Sequence, residues 1–157
     1  KASVKRIIMD TLELCQERFI NHGIDIRIDS ISDESYVECR VAQISQVLLN
    51  LLNNAYDAIE GLPQKWIRIG VKDEKDMVEI RVTDSGTGLP AELRDKIFQP
   101  FFTTKEIGRG VGLGLSLSLG IIESHRGSLV LDQHSPNTSF VIRLPKNQRR
   151  PLAHTAS

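Results

Sequence analysis

Apolar residues recur at helical spacing at Val4, Ile7, Ile8, Leu12, Cys15 and Phe19, and Gly23 follows, so the pattern predicts an amphipathic helix that stops there. Ile24, Ile26 and Ile28 then alternate with Asp25, Arg27 and Asp29, the mark of a half-buried strand, and a short strand is expected at 36–39. Val41 to Glu60 reads as a long helix ended by Gly61 and Pro63. Alternation returns at Ile67, Ile69 and Val71 and again at Val78, Ile80 and Val82, with a charged turn at 72–76 between them, which predicts a hairpin. A short helix is expected at 91–97, then a loop, a helix opening near Gly112, and strands near 128–132 and 139–144. Periodicity ends after Pro145, so residues 1–146 are expected to form one domain and 147–157 a flexible C-terminal tail.

Hairpins imply antiparallel pairing, and three amphipathic helices suffice to cover one face of a sheet. The expected fold is therefore α+β, a two-layer sandwich of a mixed, mostly antiparallel sheet with three helices on one face. Composition agrees with one soluble core: 157 residues, 40% hydrophobic and 25% charged. Lys and Arg total 20 and so do Asp and Glu, so no bulk charge draws the chain to nucleic acid or an anionic membrane. Phosphate binding would have to come from local geometry. Cys15 and Cys39 form no metal-ligand spacing and read as thiols in a reducing compartment. No apolar run reaches membrane-spanning length. The chain opens on Lys1 and not on Met, which suggests a piece of a longer protein.

Three stretches carry candidate chemistry. In "QVLLNLLNNAYDAIE" (46–60), Val47, Leu51, Ala55 and Ala58 share an apolar face, and Gln46, Asn50, Asn54 and Asp57 form a narrow polar stripe. A stripe of this kind is either a solvated face or, because asparagine is a poor helix former, a set of amide oxygens for a hard cation such as Mg²⁺. In "VTDSGTGLP" (82–90), Asp84 closes a strand ahead of Gly86 and Gly88. The pair is either a tight turn or an acceptor-only carboxylate that reads a purine amino group. In "TTKEIGRGVGLGLSLSLG" (103–120), Gly108, Gly110, Gly112 and Gly114 precede an apolar helix. Four glycines at a helix entrance are costly, unless a polyphosphate must approach the backbone amides at the helix N-terminus. Three phenylalanines, Phe98, Phe101 and Phe102, stand just before this loop, as buried core or as an anchor for it.

In this order and spacing the segments resemble the ATP-binding catalytic domain of the bacterial sensor histidine kinases, including the nitrogen-regulation-like branch. "NLLNNAYDA" resembles their N box, "DSGTGLP" the first glycine box, "FQPFFTTK" the F box and "GRGVGLGLS" the second glycine box, across residues 4–145. The resemblance implies a Bergerat-type sandwich that binds ATP and Mg²⁺. It implies that Asn54 coordinates the metal with Asn50 assisting, and that Asp84 meets the adenine amino group beside Gly86 and Gly88, with Thr138 nearby. Gly110, Gly112 and Gly114 would line the phosphates in a lid at about 100–111. Thr103, Thr104, Lys105, Arg109, Val111, Leu113 and Asp57 complete the implied binding set, Lys105 facing the γ-phosphate.

Two positions depart from the family pattern. Asp57 stands where many members carry a basic residue, which leaves charge neutralisation to Lys105 or Arg109, and Asn137 stands where glycine is common. None of His22, His125, His134 and His154 lies in a phosphoacceptor motif. The acceptor histidine is therefore expected on a helical dimerisation domain outside the fragment, with a response regulator receiver domain downstream. The implied full-length protein is a cytoplasmic kinase, or one anchored to the membrane through missing segments. It would be a homodimer, whereas the fragment alone would be a monomer. Hydrolases of the same fold place a glutamate one helical turn before the metal asparagine. Here that position is Asn50, which cannot act as a base. A serine kinase of the anti-sigma-factor type and a non-catalytic nucleotide-binding scaffold are the alternatives.

Overall fold

The computed structural model describes residues 1–94, 96–99 and 114–148. Strand β1 (Ala2–Ser3) leads into helix α1 (Val4–Asn21), then β2 (Asp25–Ile28), β3 (Tyr36–Val37) and α2 (Val41–Ile59). After these come β4 (Trp66–Asp73), β5 (Met77–Asp84), a short α3 (Ala91–Arg94), α4 (Gly114–Ser124), β6 (Ser128–Leu131) and β7 (Ser139–Pro145). Five strands form one sheet in the order β2-β4-β5-β7-β6. Only the β2–β4 pair is parallel, because α2 crosses over between those two strands. All other neighbours are antiparallel, so the expected mixed, mostly antiparallel sheet is what forms.

Helix α2 lies across β4 and β5, with α1 on one side of it and α4 on the other. The inward side chains of the sheet meet the buried faces of these helices in one core. Val78, Ile80 and Val82 of β5 and Phe140, Ile142 and Leu144 of β7 meet Leu48, Leu51 and Ile59 of α2 and Leu12 and Phe19 of α1. Ser3 caps α1 by accepting the Arg6 backbone N–H at 3.2 Å.

Several expectations change in detail. Ile28 is 40% exposed and Ile26 only half-buried, because β2 is the edge strand and has a neighbour on one side only. The strand near 36–39 is just Tyr36–Val37, and it pairs with Ala2–Ser3 in a separate two-stranded sheet. Ala58 faces solvent, and Ile59 takes the core position at the end of α2. The helix expected over 91–97 is limited to Ala91–Arg94. Among the described residues no helix is long and apolar enough to cross a membrane.

The direction of each element can be followed from its contacts. The end of β5 pairs with Ile67, near the start of β4, which α2 reaches through residues 60–65. The C-terminal turns of α2 therefore lie at the same end of the sandwich as Asp84. Helix α4 runs antiparallel to α2: its first turns meet Asn50, and His125 just past its end meets Arg40 at the start of α2. Ser35, Asp73 and Lys146 tie together the opposite end of the sheet, where the Lys146 ammonium, and after it the Ser35 hydroxyl, donate to the Asp73 carboxylate and hold it below the usual carboxylate range.

Candidate functional site

On β5 the inward positions are Val78, Ile80, Val82 and Asp84, all buried. Three aliphatic side chains followed in register by a carboxylate is an arrangement that stability alone does not favour, since burying a charge costs free energy. Asp84 is 3% exposed, and burial pushes its carboxyl up to about 6, while a hydrogen bond from the Gly86 N–H acts in the opposite direction. That bond, 2.7 Å to Oδ1, closes an Asx-type turn. Among the described residues only Oδ1 is engaged, so Oδ2 is left as an acceptor for a ligand.

The turn after Asp84 is stapled to the start of β7. Asp84 N donates to Thr138 O at 2.9 Å, and Thr138 N donates to Gly86 O at 3.2 Å. Gly88 N donates to the Thr138 hydroxyl at 3.1 Å. A side chain at position 86 would put its Cβ 2.8 Å from Asp84 Oδ1 and 3.3 Å from the Thr138 hydroxyl, so glycine is required by space. Gly88 holds φ +91, a conformation that side chains disfavour. The structure thus brings Asp84, Gly86, Gly88 and Thr138 together as one unit. It also adds Asn137, whose Nδ2 donates to Gly86 O at 3.1 Å. Its departure from the family's glycine supplies a second donor to that carbonyl. No local sequence pattern marks this bond, because the partner is a backbone atom 51 positions away.

On α2 the polar stripe divides. Asn54 is half-buried and has no side-chain hydrogen bond among the described residues. Asn50 is engaged: its Oδ1 accepts from Gln46 at 3.0 Å and its Nδ2 donates to the Ser118 hydroxyl at 3.2 Å. Ser118 is fully buried and stands out as a polar group on the apolar helix α4. Phe98 packs edge-on against Phe140, ring centroids 6.2 Å apart, as an anchor would. Thr103, Thr104, Lys105, Arg109, Gly110, Val111, Gly112 and Leu113, together with Phe101 and Phe102, lie outside the described residues, as does the expected lid at 100–111. Gly114 is described and opens α4 beside Asn50.

The donor set can accommodate Mg²⁺. Among the described residues no group of three or more His, Cys, Asp or Glu side chains could hold a metal. One free amide oxygen on α2 suits an ion that keeps most of its shell as water and substrate phosphate.

A family model described as histidine kinase-, DNA gyrase B-, and HSP90-like ATPase matches residues 39–148. Sensor kinase CckA of Brucella abortus is 37% identical over 153 residues, covering 88% of this chain and 16% of that protein. A putative NtrY-like sensor histidine kinase of Rickettsia bellii is 33% identical over 112 residues, 71% of this chain and 18% of its own length. Among solved structures, the nucleotide-free catalytic domain of histidine kinase ThkA matches with a TM-score of 0.81 and 32% identity, over 92% of this chain and 95% of that one. ThkA in complex with response regulator protein TrrA matches with a TM-score of 0.80 and 31% identity, over 96% of this chain and 42% of that one. The chain belongs to the family of histidine kinase-, DNA gyrase B- and HSP90-like ATPases, as a catalytic domain of the sensor histidine kinase type. It spans less than a fifth of the length of the two curated relatives.

Proposed function

We propose that this chain binds Mg-ATP and transfers its γ-phosphoryl group to a histidine on a helical dimerisation domain of the same full-length protein. Asp84 Oδ2 accepts from the adenine amino group, with Gly86, Gly88 and Thr138 shaping the pocket around the base. Asn54 holds Mg²⁺, which when bound neutralises charge on the phosphates. The N-terminus of α4 turns its unpaired amides toward the phosphates. Gly110, Gly112 and Gly114 let the phosphates approach the backbone, Lys105 and Arg109 supply positive charge, and Thr103, Thr104, Val111, Leu113 and Asp57 complete the surroundings. The chain's task is positioning and electrostatic stabilisation while an imidazole nitrogen attacks in line.

The observation that carries the kinase reading over hydrolysis is Asn50. A hydrolase of this fold needs a carboxylate there to activate water, and the amide is turned to Gln46 and Ser118. The TrrA complex of ThkA supports a response regulator receiver domain as downstream partner. The test is to mix this chain with γ-labelled ATP, Mg²⁺ and the helical phosphoacceptor domain of its own full-length protein. Acid-labile, base-stable label should appear on the helical domain. Rapid release of inorganic phosphate with no labelled acceptor would replace the kinase reading with a hydrolase.

A further inference from the structure

Helices α2 and α4 meet along a seam that is apolar at most positions. Gly114, Ser118 and Ile122 recur every four residues on α4, and Ser118 and Ile122 are fully buried. Across the seam stand Val47 and Leu51, also buried, with Asn50 between them. The polar contact in this stretch is Asn50 Nδ2 to Ser118 Oγ at 3.2 Å, with a longer approach of 3.5 Å to Gly114 O. A carbonyl oxygen only accepts, so the amide must turn its nitrogen toward α4 and its oxygen back to Gln46, which donates to it at 3.0 Å.

A hydrophobic seam tolerates sliding by a fraction of a turn, whereas a buried polar pair does not, since slipping would leave a hydroxyl unsatisfied. A polar residue at one seam position is a known way to fix register between helices. Register matters here because α4 begins at Gly114. Moving the helix along α2 moves its N-terminal amides relative to Asn54, which lies four residues, a rise of about 6 Å, beyond Asn50.

We infer that Asn50 is a positioning residue. Through Ser118 it locks α4 in register on α2, so that the N-terminus of α4 is held at the phosphate end of the site. The metal is left to Asn54 and the phosphates. This rests on the nucleotide-binding reading above, and it departs from the expectation that Asn50 assists at the metal.

The test compares the 157-residue chain with N50A, S118A and the double variant. ADP affinity is measured by calorimetry in Mg²⁺ and in EDTA, and hydrogen exchange of amides 118–122, the first with acceptors inside α4, is followed without nucleotide. Each single variant should weaken ADP binding about three- to tenfold, the worth of one hydrogen bond. The loss should be the same with and without Mg²⁺, and the double variant should be no weaker than N50A. Amides 118–122 should exchange faster in all three variants. A loss in N50A that appears only with Mg²⁺, or unchanged exchange in S118A, overturns the register lock and returns Asn50 to the metal. If wild type binds no ADP while the variants still loosen 118–122, the nucleotide reading fails and the lock stands.

Discussion

Asp84 is paired with no cation among the described residues, and the only hydrogen bond to its carboxylate there comes from a backbone amide. A buried carboxyl in that position strains stability and serves ligand binding. Its carboxyl titrates near 6 in the folded chain and near 3.8 when exposed on unfolding. Between those values the folded state binds more protons, so stability falls as pH rises from about 4 to about 6 and is level above that. The shift corresponds to a cost on the order of 2–3 kcal/mol at neutral pH. Asp84→Asn keeps an oxygen for the Gly86 N–H and removes the buried charge. It should therefore raise stability at pH 7.5 by on the order of 1–3 kcal/mol, with the gain vanishing at pH 4, as read by urea denaturation. The same variant should bind ADP more weakly by about 1–3 kcal/mol, because an amide can turn a donor toward the purine amino group. In wild type, ADP affinity should fall below pH 6, when a proton occupies Oδ2. Unchanged ADP affinity in the variant, measured by calorimetry, would remove Asp84 from the site.

Where the end of α4 meets the start of α2, an imidazole joins them, a second polar tie beside the Asn50–Ser118 pair. His125 is 3% exposed; its Nε2 accepts from the Arg40 N–H at 3.1 Å, and its Nδ1 stands 2.9 Å from Ile121 O. The carbonyl only accepts and the amide only donates, so Nδ1 carries the hydrogen and Nε2 the lone pair. Arg40 is the N-cap residue of α2 and its side chain makes no cap hydrogen bond; His125, just past the end of α4, satisfies the Arg40 backbone N–H instead. Gln148 adds a bond of 2.7 Å to His125 O, and its own N–H donates to Glu38 Oε1 at 2.7 Å. His125→Ala empties a buried ring site and leaves the part-buried Arg40 amide without its partner, and it should cost about 1–3 kcal/mol in thermal or urea denaturation. A loss under about 0.5 kcal/mol would mean that the ring does not hold the junction.

As a whole molecule, the chain separates its chemistry from its fastenings. Asp84 and the C-terminal turns of α2 share one end, while Ser35, Asp73, Lys146 and the His125 junction share the other. None of the four histidines has the setting of a phosphoacceptor. His125 is locked in the junction, and His22 is the C-cap residue of α1 with its ring 2.8 Å from Arg18 O and edge-on to Tyr56. Incubated alone with labelled Mg-ATP, the chain should therefore stay unlabelled until a helical acceptor domain is added. Strong acid-labile self-labelling of the chain by itself would require an acceptor within it.

The periodicity of the chain was enough to specify the helices, the β4–β5 hairpin and the mostly antiparallel sheet, because burial of an apolar stripe or an alternating face is written locally. The order of the boxes around Asn54, Asp84 and Gly114 was likewise enough to specify the family. What required the tertiary structure was every relation between distant positions. Alternation at Ile26 and Ile28 does not say that β2 is an edge strand, since exposure depends on which strand lacks a neighbour. Tyr36–Val37 reads as a strand, but its partner, Ala2–Ser3, is chosen by where α1 begins. The sequence shows that Asn50 and Asn54 share a stripe; only the packing of α4 engages one amide and leaves the other open. Hydrogen bonds such as Asn50 to Ser118 and Asn137 to Gly86 join residues far apart in sequence. Local pattern carries no information about which buried polar groups will meet.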